Sequence, residues 1–79
     1  KAMHGHLIGA TAAIELIACT LAVREKVIPP TINYHTQDDD CDLNYTPNEA
    51  IDASFDVTMS NSFGFGGHNA VLITKKFAG

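Results

Sequence analysis

Two places in this chain hold residues whose types and spacing offer chemistry: His6, directly before a long apolar stretch, and Phe63-Gly64-Phe65-Gly66-Gly67-His68-Asn69, between two strand-like runs. A helix start presents free N–H groups and a partial positive charge. Such surroundings favour an uncharged imidazole, and a neutral ring can donate one N–H to a developing oxyanion. The plainer role for His6 is to cap the helix or to pack against the glycine loop. In that loop, glycine is chosen where the backbone must take a positive φ or approach another group closely. Flanking glycines resist rotation little, so Phe65 can be held over a cavity or swung away from it. The plainer reading there is a glycine-rich hairpin connection with a half-buried Phe.

Other candidates are weaker. His4 and His6 stand two apart with no Cys or carboxylate beside them, so no metal site is expected. The run Asp38-Asp39-Asp40-Cys41-Asp42 lacks the spaced ligands and the glycine of a calcium loop and reads as a solvated acidic loop. Cys19 lies mid-helix among apolar residues and Cys41 between Asp40 and Asp42. Both surroundings disfavour the thiolate that a nucleophile needs. One disulfide is conceivable, but two such cysteines fit a reduced, intracellular context more simply.

The elements that must position these residues are few. Leu7 to Val23 predicts a helix: Ala, Leu, Ile and Glu dominate it, no glycine follows Gly9, and the run stops before Pro29-Pro30. Apolar side chains cover nearly every face, with Thr11 and Glu15 as exceptions. A helix apolar all round is buried all round. A two-stranded hairpin covers only one side of a helix about 25 Å long, so this chain is expected to lack most of its own core. Residues 29–53 read as connection, extended at Pro29-Pro30-Thr31 and turning near Pro47-Asn48. Ser54 to Ser60 alternates, with Phe55, Val57 and Met59 on one face and Asp56, Thr58 and Ser60 on the other. The run Ala70-Val71-Leu72-Ile73 predicts a strand covered on both faces. The fold class is therefore α/β, one long buried helix followed by an antiparallel two-strand hairpin.

Seventy-nine residues allow one domain at most. Apolar content of 46% with 18% charged residues is globular, and no run is long enough to span a bilayer. A net charge of −4 without a basic stripe argues against a nucleic-acid partner. The chain opens on Lys1 without a leader pattern and reads as a piece of something longer.

Several motifs succeed one another in order: Lys1-Ala2-Met3-His4-Gly5-His6-Leu7-Ile8-Gly9-Ala10, then Glu15, Pro29-Pro30-Thr31-Ile32-Asn33, Asp42-Leu43, Pro47-Asn48 and Asn61-Ser62-Phe63-Gly64-Phe65-Gly66-Gly67-His68-Asn69. Over essentially its whole length the chain resembles the C-terminal part of a β-ketoacyl-[acyl-carrier-protein] synthase, of the elongating type II. These are condensing enzymes of the thiolase-like superfamily. The resemblance makes residues 1–79 a partial C-terminal domain of a layered α/β/α/β/α fold, with the upstream remainder missing. It implies acyltransfer: a malonyl thioester loses CO₂ and its enolate attacks an acyl group carried on cysteine, extending the chain by two carbons.

Of the family's one Cys and two His, only the second His maps here, onto His6, as donor to the malonyl thioester oxygen. Lys1 matches the lysine that supports the charge arrangement around the histidines. Phe65 matches the gating phenylalanine, and its backbone N–H is one half of an oxyanion hole; Phe63, Gly64 and Gly66 belong to the same substrate-binding loop. The chain departs from the pattern at Ala2, commonly Ser, and at Thr11-Ala12, commonly Ala-Gly. With the nucleophilic Cys and first His absent, the 79 residues alone are expected to be inactive.

The resemblance implies no cofactor, acyl carrier protein as the partner bearing acyl and malonyl groups, a homodimer in the full-length protein, and a cytoplasmic bacterial or a plastid location. The alternative is a fragment of a non-catalytic, chain-length-controlling subunit of a polyketide system. A free-standing binding module is disfavoured by the all-round apolar helix.

Overall fold

A computed structural model describes residues 1–78. The order is a 3₁₀ turn η1 (Ile8–Ala10), helix α1 (Thr11–Glu25), strands β1 (Val27–Ile28) and β2 (Ile51–Asp52), and a hairpin of β3 (Val57–Gly64) and β4 (His68–Lys75). The helix starts four residues later than Leu7, and the cause is local. Ile8 has φ +53, left-handed for a β-branched side chain, so the right-handed spiral cannot begin until it is passed. At the other end Lys26, at φ +57, turns its N–H back onto the Ala22 carbonyl and closes α1 at Glu25. Arg24, in that last turn, complements the negative end of the helix dipole.

The 29–53 connection is more ordered than expected. Val27 pairs with Asp52 and Ile28 with Ile51, so its two ends are clamped as an antiparallel pair. Within it, the Thr31 N–H donates to the Thr46 carbonyl at 2.9 Å, and the Asn48 N–H donates to the Thr31 carbonyl at 2.8 Å. The Asn48 side chain both accepts from the Tyr34 N–H (3.1 Å) and donates to its carbonyl (2.6 Å). A polar segment without apolar periodicity is held by such side-chain-to-backbone bonds, which periodicity does not reveal.

The hairpin also differs in extent. β3 begins at Val57 rather than Ser54 and continues through Phe63 and Gly64, which pair with Asn69 and His68. The glycine stretch is thus mostly strand, and the turn is only Phe65-Gly66-Gly67. Gly66 and Gly67 take φ +83 and +84, which is what lets the chain reverse so tightly.

The helix-side face of the hairpin is the hydroxyl-bearing one. Thr58, Ser60 and Ser62 are half-buried, with Thr58 bonded across to Thr74, while Val57, Met59 and Phe63 are open. Ile73 and Val71, paired with Met59 and Asn61, extend that open apolar face. The helix is therefore long, as expected, but not buried by this chain. Among the described residues no apolar side chain is buried, and on α1 only Thr11 is.

Burial of apolar surface is the main favourable term in folding. The isolated 79-residue chain is accordingly expected to show no cooperative thermal transition by circular dichroism and to self-associate in sedimentation. A monomer with a sharp melt would refute this.

Candidate functional site

Residues 1–11 wrap into a hydrogen-bonded knot ahead of α1. The Lys1 carbonyl accepts from the N–H groups of Gly5 (2.7 Å) and His4 (3.3 Å). The Leu7 N–H donates to Thr11 Oγ1 at 2.8 Å, and the Ile8 N–H donates to His6 Nδ1 at 2.9 Å. Thr11 Oγ1 lies 3.2 Å from the same Nδ1. A nitrogen that accepts an N–H cannot itself carry the ring proton in the neutral form. The neutral His6 ring is therefore the Nε2–H tautomer.

Lys1 is anchored by Glu15, with Nζ 2.7 Å from Oε1. The other carboxylate oxygen accepts a long hydrogen bond, 3.4 Å, from the Ser60 hydroxyl on β3. Glu15 thus joins the N-terminal knot, the helix and the hairpin. The sequence alone gives Glu15 no role beyond its place in the motif order; the one signal is a lone carboxylate on an otherwise apolar helix.

The Glu15 carboxyl is held below its ordinary value of 4.5. The Lys1 hydrogen bond is the largest cause, opposed by burial and assisted by the Lys1 charge, Ser60 and His4. A lowered folded-state value means that the stabilisation is complete above the unfolded value, near 4.5, and is lost as pH falls through the folded one. Lys1 is 45% exposed, so water screens the pair and its contribution is small. In the full-length protein, the melting-temperature gap between wild type and Glu15→Gln is expected to hold from neutral pH to about 4.5 and to close below it. Thermal melts across that range check this; a gap that stays open at lower pH removes the Lys1 pairing as its cause.

Two contacts set the direction of α1 along the hairpin. Glu15, one turn into the helix, meets Ser60 midway along β3. The last turn of α1 and the end of β4 enclose a hollow of about 520 Å³, with Arg24, Lys26, Lys75 and Phe77 in its wall. Lys75 pairs with Val57, the first residue of β3. Helix and strand are therefore antiparallel, and the His6 end of α1 lies toward the hairpin turn that carries Phe65. From the Glu15–Ser60 level, the helix runs back roughly 6 Å to Thr11 and the strand forward roughly 13 Å to Gly64.

His6 and Phe65 share no hydrogen bond among the described residues. Phe65 projects wholly into solvent at the tip, and Phe63 is 79% exposed on the open apolar face of β3. Gly64 faces His68, where a Cβ would come within 3.3 Å of the His68 Cβ. The 520 Å³ hollow includes none of His6, Lys1 or Phe65 and lies at the opposite end of α1. Among the described residues no three His, Cys, Asp or Glu side chains gather as metal ligands, and no helix is long and apolar enough to cross a membrane. Cys19 is half-buried on α1 and Cys41 exposed in the loop, both free thiols.

Residues 1–35 match the β-ketoacyl synthase C-terminal domain. The chain is 53% identical over 77 residues to 3-oxoacyl-[acyl-carrier-protein] synthase 2 of Staphylococcus aureus, covering 98% of this chain and 19% of that protein. It is 51% identical over 76 residues to nodulation protein E of Rhizobium meliloti, covering 96% of this chain and again 19% of the relative. Among solved structures it is similar to the ishigamide ketosynthase/chain length factor, with TM-score 0.93, 45% identity, and 99% and 19% of the two chains covered. A type II polyketide ketosynthase bound to a hexaketide and in complex with its acyl-carrier protein gives TM-score 0.91 and 38% identity, over 98% and 19% of the chains. The chain spans about a fifth of the length of these relatives. By its motifs, its backbone and these likenesses together, the chain is similar over nearly its whole length to a C-terminal segment of the β-ketoacyl synthases, and residues 1–35 match that family's C-terminal domain.

Proposed function

We propose that the full-length protein is a β-ketoacyl-[acyl-carrier-protein] synthase that condenses malonyl-acyl carrier protein with an acyl-enzyme, and that this segment supplies the donor for decarboxylation. The observation that carries the reading is the Ile8 N–H on His6 Nδ1, which leaves Nε2–H free to donate. As the bond between the malonyl carboxylate and its α-carbon breaks, the electron pair moves toward the thioester oxygen. A fixed neutral donor there lowers the barrier because it needs no reorganisation as charge builds. CO₂ leaves, and the enolate attacks the acyl thioester on a cysteine supplied from outside these residues, forming the new C–C bond as the C–S bond breaks and the cysteine leaves as thiolate. Lys1, tied to Glu15, places a positive charge beside the His6 knot, and the Phe65 turn lies at the same end of α1.

Acyl carrier protein is the partner in this reading, supported by the relative solved with its own carrier protein. A homodimer in the bacterial cytoplasm, or in a plastid, completes it. A second reading has its own support: one similar structure is described as a ketosynthase/chain length factor, so the segment also fits a chain-length-controlling subunit with an idle site. CO₂ release from malonyl-acyl carrier protein by the full-length protein separates the two. Release that is lost with His6→Ala supports the synthase, release retained in the variant removes His6 from the step, and no release from either protein favours the controlling subunit.

A further inference from the structure

We infer that the Thr11 hydroxyl is the positioning group for His6, holding both the tautomer and the direction of the ring, an inference that rests on the donor role proposed for that ring. Thr11 is 5% exposed, so its hydrogen bonds are not exchanged for water. Its oxygen accepts from the Leu7 N–H at 2.8 Å. Its single O–H hydrogen then has His6 Nδ1, 3.2 Å away, as acceptor, sharing with the shorter Ile8 N–H bond the one lone pair of a nitrogen that carries no proton in the neutral ring. One hydroxyl on the first residue of α1 thereby ties two successive residues of the knot to the rigid helix.

Backbone strain at Ile8 makes the tie necessary. Ile8 sits at φ +53, a left-handed conformation that is strained for a side chain branched at Cβ. Ile8 is also 82% exposed, so packing within this chain does not hold it there. Without the Thr11 hydroxyl, that peptide is held only through its flanking carbonyls, the Leu7 oxygen accepting from the Ala10 N–H and the Ile8 oxygen from the Thr11 N–H, and its own N–H is freer to swing away from Nδ1. The ring then loses both groups that keep its proton on Nε2. Ile8 supplies the shorter bond, and Thr11 keeps Ile8 where it can supply it.

The test uses the full-length protein labelled with ¹⁵N-histidine, the His6 signals being those lost in His6→Gln. Wild type is expected to show His6 as one tautomer, protonated on Nε2. Thr11→Val removes the hydroxyl at similar volume; it is expected to populate both tautomers and to slow malonyl-thioester decarboxylation about tenfold through kcat, with KM unchanged. Thr11→Ser is expected to restore both readouts. Thr11→Ala removes the same hydroxyl with less bulk and serves if the valine variant does not fold. Unchanged tautomer and rate overturn the inference. So does a slower rate with an unchanged tautomer, which is the mark of packing alone. A tautomer that shifts in a protein whose wild type releases no CO₂ upholds Thr11 as the positioning group and refutes the donor role instead.

Discussion

Replacing His6 with alanine in the full-length protein is expected to lower malonyl-thioester decarboxylation by about 10²–10³-fold, the usual loss when one donor to a developing oxyanion is removed. The ring is exposed, and α1 begins beyond it at Thr11, so truncation opens no cavity within this chain and the fold is expected to survive. Acyl loading onto the cysteine should change far less, because the proposed donor acts on the malonyl oxygen. His6→Gln is the informative companion. Its terminal amide places an N–H near the position of Nε2, so a donor remains although the ring is gone. Recovery to within about tenfold of wild type would show that donation is the ring's work. Equal losses in the two variants would point instead to proton transfer, which an amide cannot perform. Initial rates of CO₂ release for wild type and both variants decide between these outcomes.

The turn carries the second large effect. Gly66→Ala is expected to lower overall condensation by about 10²-fold, the loss expected when a reacting geometry is displaced by about 1 Å. Gly66 sits at φ +83, where an L side chain is strained, so the turn must shift and the Phe65 N–H must shift with it. Phe65→Ala leaves that backbone in place and removes only a ring that projects freely from the tip. It is expected to change acyl loading by about tenfold and decarboxylation by less. Pre-steady-state acylation and CO₂ release, measured on both variants, separate the two roles. Loading unchanged in Phe65→Ala would reject the ring as a gate. Condensation unchanged in Gly66→Ala would reject the Phe65 amide as an oxyanion donor.

Helix α1 and the hairpin were legible in the chain because each depends on local chemistry. Strong helix formers closed by a left-handed Lys26 favour α1 from local sequence. Gly66 and Gly67 announce a reversal because few other residues accept their φ. The pairing of β1 with β2 was not legible: two residues on each side carry no periodicity, and their partners stand some two dozen positions apart. Nor was the late start of α1, since the positive φ of Ile8 contradicts the preference of a β-branched residue. Such a conformation survives only where neighbours hold it, here the Leu7–Thr11 and Ile8–His6 hydrogen bonds.

Residue types and their order alone determined which groups are available for chemistry: an imidazole before a helix, a lysine ahead of it, and a phenylalanine among glycines. They also determined that the chain is too apolar along α1 to cover itself. Tertiary structure decided the rest. It set Glu15 between Lys1 and Ser60, turned the Ile8 and Thr11 groups onto one nitrogen of His6, and laid α1 antiparallel to β3 so that the knot and the turn share an end. It also put the hydroxyls of β3, not its apolar side chains, against the helix. Alternation along a strand separates two faces but does not say which one meets a given neighbour. That choice belongs to contacts between residues distant in the chain, and here the serine-bearing face is the one that meets the Glu15 carboxylate of α1.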